Sequence, residues 1–243
     1  FKQKTAYEIM PSLVGSEMCI RDSINMVSSE SFQLSSICNQ KGTVMADFLI
    51  GISDKKFKII INYELVDIFI EELTPFAKFF GVSFKETHNH VCASIESSPF
   101  SKRVFLKNSD FALSVTIKNE IKSIDKSISK EEWSIANMIL GNFYLSKDDV
   151  GSYRPLEINY DKHRVSFNKG CFRGQEIVAR MKYLGVDRRK FCTIISKNEI
   201  QESKDLKMLG EPLRLQDNFV CLCIIKKDFL EVFIREYPSI TII

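Results

Sequence analysis

Lys169-Gly170-Cys171-Phe172-Arg173-Gly174-Gln175-Glu176, continuing through Ile177-Val178-Ala179-Arg180-Met181-Lys182, is the stretch on which the reading of this chain turns. Gly170 and Gly174 permit backbone angles or close approaches that a side chain would forbid. From Gln175 to Leu184 the apolar residues Ile177, Val178, Met181 and Leu184 recur at helical spacing, and Gly185 supplies a stop. The pattern therefore predicts a glycine-punctuated turn that delivers Cys171 to the start of a short helix. Lys169 and Arg173 flank the thiol, and both they and a helix N-terminus favour thiolate over thiol. A cysteine in a glycine loop also packs inward in many proteins. The residues alone leave both readings open.

The surrounding composition bounds the class. Across 243 residues, 44% are hydrophobic and 27% charged, the balance of a soluble globular protein with room for one large core or two smaller ones. Nineteen Phe against ten Gly and one Trp point to an interior filled by aromatic rings. No window approaches the ~20 uninterrupted apolar residues of a membrane span. The N-terminus lacks a basic stretch followed by an apolar one, which argues against a secretory signal. Seven cysteines, an odd number without framework spacing, argue against a disulfide scaffold and for a reducing compartment, with cytoplasm as the default. The net charge of +3 conceals an asymmetry: residues 162–190 carry nine Lys or Arg against Glu176 and Asp187, which is +7, so the remainder is −4. That segment reads either as a solvated basic face or as an anion-binding rim for a polyglutamate tail, a phosphate or RNA. No RNA-binding motif accompanies it.

Residues 7–23 show neither helical nor strand periodicity. They resemble a translated library-adapter sequence, so residues 1–23 are expected to be a non-native extension. Strands are expected at Phe32–Ser36, Val44–Ile50 and Phe57–Ile61, with turns at Ile37–Gly42 and Ser53–Lys56. Apolar residues three or four apart predict an amphipathic helix over Tyr63–Phe80, kinked or divided by Pro75. Strands follow in Ser83–Ile95, Arg103–Leu106 and Phe111–Ile117. His88, His90 and Cys92 would share one strand face, a pattern that suggests a metal site only weakly, because side chains two apart need help to co-ligate. Ser129-Lys130-Glu131-Glu132 is a capping box opening a helix that runs past Trp133 to Gly141. Asp148 and Asp149 read as a solvated loop. Short strands are expected at Phe191–Ile195, Pro212–Leu215, Phe219–Ile225 and Phe229–Ile234, with Cys221 and Cys223 packed inside one of them.

With those residues in hand, a resemblance can be stated. Lys169, Gly170, Cys171, Phe172, Gly174, Gln175, Glu176, Arg180 and Lys182 fill each fixed position of a signature similar to that of the YgfZ family. Those proteins are folate-binding relatives of the glycine-cleavage aminomethyltransferase, tied to iron–sulfur cluster maintenance and through it to tRNA modification. Cys38–Phe48 resembles the family's strand–turn–strand. Pro155, Glu157, Asn159 and Asp161 resemble its approach to the signature.

The resemblance implies an α+β fold of the aminomethyltransferase-like, folate-binding kind, with mainly antiparallel sheets and flanking helices over residues 24–190. A small C-terminal β-barrel would occupy residues 191–243. It implies tetrahydrofolate as the bound folate, Cys171 as the working thiol, and iron–sulfur client or assembly proteins as partners, with any tRNA link indirect and no membrane. An acidic residue after the tryptophan-region helix holds the pterin in relatives. The aligned position here is Ile139, which leaves Glu157 and Asn159 as the candidate cofactor contacts. Three functions remain in view: an iron–sulfur assembly or repair factor, a folate-dependent one-carbon transferase, and a binding module for RNA or protein. Whether the chain catalyses a reaction stays open at this point.

Overall fold

The computed structural model describes residues 27, 29–53, 56–87, 89–120, 127–167, 173–185 and 188–243, together with the backbone path of 4–9. Strands β1 (Lys4–Ile9), β2 (Gln33–Cys38), β3 (Val44–Ser53) and β4 (Lys56–Asn62) precede helix α1 (Val66–Phe79) and strand β5 (Phe84–Thr87). The five strands make one antiparallel sheet in the order β2-β3-β4-β1-β5. Tyr7, Glu8 and Ile9, in the stretch without strand periodicity in its sequence, pair with Ile59, Lys58 and Phe57 on one side and Glu86, Lys85 and Phe84 on the other. Backbone groups meeting two open strand edges need no side-chain alternation, so the pattern does not reveal this strand.

The sheet is buried on both faces, and β4 shows why its sequence is continuously apolar. Ile59 and Ile61 join Phe48, Phe69 and Leu73 in the cluster beneath α1. Ile60 turns the other way, to Leu49, Leu113 and Trp133. Each such buried side chain contributes about 1.5–3 kcal/mol. Pro75 lies inside α1 without dividing it, while the neighbouring Thr74 hydroxyl donates to the Ile70 carbonyl.

Three further strands, β6 (His90–Ser97), β7 (Val104–Lys107) and β8 (Phe111–Lys118), form an antiparallel sheet in the order β6-β8-β7 over that second face. Helix α2 (Lys130–Ile139) packs beside it and opens on the expected capping box. The Ser129 hydroxyl accepts from the Glu132 amide at 3.1 Å, and the Glu132 carboxylate accepts from the Ser129 amide at 2.7 Å. The chain then passes short 3-10 turns at Lys147–Asp149 and Pro155–Ile158, a single helical turn α3 (Tyr160–His163), and α4 (Gln175–Leu184).

The C-terminal region comprises β9 (Arg189–Ser196), β10 (Leu206–Leu215), β11 (Asn218–Lys226), α5 (Lys227–Glu236) and β12 (Thr241–Ile242). It differs from expectation in two ways. Among the described residues its strands pair as an antiparallel sheet in the order β10-β11-β9-β12, without closing into a barrel. Phe229–Ile234, expected as a strand, belongs to α5. Phe229, Phe233 and Tyr237 recur every fourth residue, with successive ring centroids 5.9 and 4.9 Å apart. That spacing is helical, and it buries Phe233 against the sheet.

Candidate functional site

A cavity of about 360 Å³ lies where the five-stranded sheet, α2 and the C-terminal sheet meet. Asp47 of β3, Ile60 and Asn62 of β4, and Glu64 just beyond β4 line one side. Lys130, Trp133, Ser134, Asn137 and Met138 of α2 line another, and Leu209, Gly210 and Leu222 close it from β10 and β11. The size and the mixture of ring, aliphatic and amide groups are those of a small-molecule site. Ile139 is not among the lining residues. The face that α2 turns to the cavity holds no carboxylate at all.

Most of the polar groups in this wall are already engaged. The Asn137 amide donates to the Trp133 carbonyl and accepts from the Asn142 amide, both at 2.7 Å. Asp47 Oδ1 accepts from the Leu145 amide at 3.2 Å, and Oδ2 lies 3.3 Å from Arg164 in an ion pair buried at both ends. Arg164 is the hub of this wall. It donates to the Ser35 and Phe48 carbonyls of β2 and β3 and to Asn142. The rings of Tyr144 and Tyr160 flank its guanidinium at 4.7 and 4.6 Å. Burial opposes its charge, but Tyr160, Asp47 and Tyr144 more than offset this, and its pKa moves up. Burial pushes the Tyr144 phenol up to about 12 and raises that of Tyr160 as well, so both remain neutral. Glu64 is different: it is exposed, its backbone amide turns on Asn62, and its carboxylate is the acid this wall presents without an ion pair among the described residues.

The described part of the signature segment sits elsewhere. Lys169, Gly170, Cys171 and Phe172 lie outside the described residues, as does His88. Gly174 precedes α4 with φ +76°, and a Cβ there would fall 2.7 Å from the Asn39 carbonyl oxygen and 2.8 Å from the Gly42 Cα. The turn between β2 and β3 therefore packs directly on the start of α4. Gln175 opens the helix, and Val178 is buried beneath it. Arg173 ties the turn to α1 through an ion pair with Glu72. Glu176 and Arg180 form an exposed i,i+4 pair, and the Lys182 ammonium stands 3.6 Å from the centroid of the Phe167 ring. None of the described signature residues lines the cavity.

The other candidates have structural partners. The Glu157 carboxylate accepts from the Arg154 amide at 2.7 Å. Asn159, with φ +63°, donates to the Gly141 carbonyl at 3.0 Å. Neither lines the cavity. The Asp149 carboxylate caps its own turn by accepting from Ser146. Among the described residues no three His, Cys, Asp or Glu are grouped to hold a metal ion. The basic segment is broken up, since Arg164 is wholly buried and Arg173 and Arg180 are paired. Sequence reasoning counted Arg164 as surface charge. A lone arginine between His163 and Val165 carries no local sign of a partner 117 positions away.

No family model matches the chain. Its structure is similar to the crystal structure of glycine cleavage system aminomethyltransferase T from Bartonella henselae, with a TM-score of 0.63 at 10% identity over 93% of this chain and 77% of that one. The fold is therefore α+β and aminomethyltransferase-like. In sequence the chain is 27% identical over 212 residues to the tRNA-modifying protein YgfZ of Buchnera aphidicola, covering 73% of this chain and 66% of that protein. It is 37% identical over 90 residues to the tRNA-modifying protein YgfZ of Colwellia psychrerythraea, 35% of this chain and 28% of that one. A 46-residue segment, 18% of this chain and 10% of the relative, is 46% identical to an iron–sulfur cluster assembly factor IBA57 homologue from Eremothecium gossypii. The chain is similar in sequence to YgfZ proteins over part of its length, and it spans two thirds or less of the length of these three relatives. No described helix is long and apolar enough to cross a membrane.

Proposed function

We propose that this protein binds tetrahydrofolate and assists the assembly or repair of iron–sulfur proteins in the cytoplasm, supporting tRNA modification through those clients. The observation that carries the reading is the cavity itself. It has aromatic and aliphatic walls, most of its buried polar groups are internally satisfied, and it keeps one carboxylate, Glu64, that forms no ion pair among the described residues. A pterin offers a flat face and an edge of adjacent N–H donors, which a carboxylate accepts in paired geometry. Lys130, at the first turn of α2, is the cation in the same wall and suits the anionic glutamate tail. Residues 24–190 would form the folate-binding region and 191–243 the smaller C-terminal domain that closes the cavity through Leu209 and Leu222.

Cys171 is assigned the working thiol from its sequence setting, between Lys169 and Arg173 and ahead of α4. Lys169, Gly170, Phe172, Gly174, Gln175, Glu176, Arg180 and Lys182 support it. One cysteine does not hold a cluster alone, so a partner or client protein must supply further ligands. One-carbon transfer is the weaker reading, because Asp47, the carboxylate deepest in the cavity wall, is held by Arg164 and the Leu145 amide. An RNA-docking module is also weaker, because the basic segment is divided by burial and pairing.

Calorimetric titration with tetrahydrofolate tests the ligand, and absence of heat at millimolar concentration overturns it. Complementation of a strain lacking its YgfZ protein tests the thiol. Cys171→Ala is expected to fold and to fail to restore tRNA thiomethylation, and full restoration would remove Cys171 from the function.

A further inference from the structure

One group of nucleophiles has no part in the cavity or the signature. Cys192 on β9 and Cys223 on β11 are direct cross-strand partners. Their sulfurs lie 3.4 Å apart, and both residues are buried. Strand alternation sorts the neighbours onto two faces. Cys221, Cys223 and Ile225 join Cys192, Ile194 and Phe233 in one core cluster. Leu222 and Ile224 face the other way, and Leu222 lines the cavity.

The three thiols are not equivalent. The Cys223 thiol bonded to Cys192 draws the pKa of Cys192 down despite burial, and Lys190 adds to this. The same bond raises Cys223, and burial holds Cys221 up at about 11. Nucleophilic character is thus concentrated on one sulfur that already faces a second. Closing the gap to the ~2.05 Å of a disulfide takes about 1.4 Å of approach, within reach of small χ1 and strand adjustments.

We propose that Cys192 and Cys223 are an oxidisable pair that closes to a cross-strand disulfide when hydrogen peroxide is supplied. The Cys192 sulfur attacks one peroxide oxygen, the O–O bond breaks, and the leaving oxygen departs with the thiol proton as water. The Cys192 sulfenic acid so formed is attacked by the Cys223 sulfur, the S–O bond breaks, and the hydroxyl leaves with the second thiol proton as another water. The two sulfurs together lose two electrons and the peroxide gains them. The bond forms in the strand pair whose opposite face walls the cavity, so the oxidised form fixes β9 against β11 behind Leu222. The pair lies in the cluster that Phe233 of α5 covers, so peroxide reaches it through local opening of that ten-residue helix, more slowly than an exposed thiol reacts.

The test treats the full chain with hydrogen peroxide under native conditions, alkylates the remaining thiols and maps peptides without reductant. The expected product has lost about 2 Da for this bond and yields one peptide joining Cys192 to Cys223. It is expected in the wild type and in Cys221→Ala, and not in Cys192→Ser or Cys223→Ser. Recovery of Cys192 and Cys223 as alkylated thiols overturns the proposal, as does their linkage to Cys38, Cys92 or Cys221. The wild-type map decides the matter by itself should a serine variant fail to fold.

Discussion

Gly174 stands so close to Gly42 that a Cβ added to it would lie 2.8 Å from the Gly42 Cα and 2.9 Å from the Gly42 nitrogen. The two glycines belong to segments more than 130 positions apart, one turning β2 into β3 and the other opening α4. Each segment resembles the YgfZ pattern separately, and the structure shows them to be one contact. The same contact carries Ile177, whose Cβ lies 3.3 Å from where a Gly42 side chain would begin.

Gly174→Ala is therefore expected to destabilise the protein by about 2–4 kcal/mol. Left-handed backbone alone costs an L-residue about 1–2 kcal/mol, and here the new methyl meets backbone atoms that cannot step aside. Gly81→Ala is the control, since Gly81 shares the positive φ but has nothing within 4 Å of its Cβ position. It is expected to lose only the backbone part. Urea midpoints would measure both, and equal losses would show that the Gly42 approach carries no energy.

Arg164→Leu removes the guanidinium beside Asp47 and leaves a buried carboxylate that has lost its counter-charge. Breaking a buried pair from one side costs about 3–5 kcal/mol, mostly from the charge left behind. The loss is expected in chemical denaturation. Adding Asp47→Asn to Arg164→Leu is expected to recover part of it, because the stranded charge is gone. A double variant as unstable as the sum of the singles would mean that Asp47 and Arg164 do not act together.

The sequence revealed what is local and periodic. The capping box at Ser129, the alternating strands around Asn39–Gly42 and the helix after Gly174 each announce themselves within ten residues. What stayed hidden depends on distant partners. β1 forms through backbone pairing to two other strands, Arg164 is defined by Asp47 and two tyrosines, and Glu64 matters only because the fold brings α2 opposite it. Ile139 is a single helix position that does not line the cavity, to which the helix turns Trp133, Ser134, Asn137 and Met138. In α5 the fourfold spacing of Phe229, Phe233 and Tyr237 is present in the sequence, but a short apolar run such as Phe229–Ile234 reads equally as a strand.

The capping box also makes a pH prediction. The Ser129 amide, and then the Ser129 hydroxyl, hold the Glu132 carboxyl below its ordinary value near 4.5. A depressed carboxyl contributes stability that is complete above the unfolded pKa and lost as the pH falls through the folded one. Glu132→Gln is thus expected to lower the thermal midpoint at pH 7 and to match the wild type at a pH below both values. A difference that persists unchanged in acid would show that the Glu132 charge is not what the cap uses.

Glu64 and Glu157 separate two accounts of how a pterin is held. Glu157 has its carboxylate on the Arg154 amide and lies outside the cavity, whereas Glu64 is in the cavity wall. Glu64→Ala is expected to weaken tetrahydrofolate binding about tenfold, the loss of roughly 1.4 kcal/mol and the lower end for hydrogen bonds to a charged group. Glu157→Gln is expected to leave the affinity unchanged, since the altered group never meets the ligand. Titrations of the wild type and both variants at one pH and salt concentration would distinguish the possibilities. If the wild type binds and Glu64→Ala binds equally well, the cavity holds the ligand by its walls alone. If Glu157→Gln is the variant that weakens, the pterin edge lies against the Pro155–Ile158 turn and the cavity assignment falls with it.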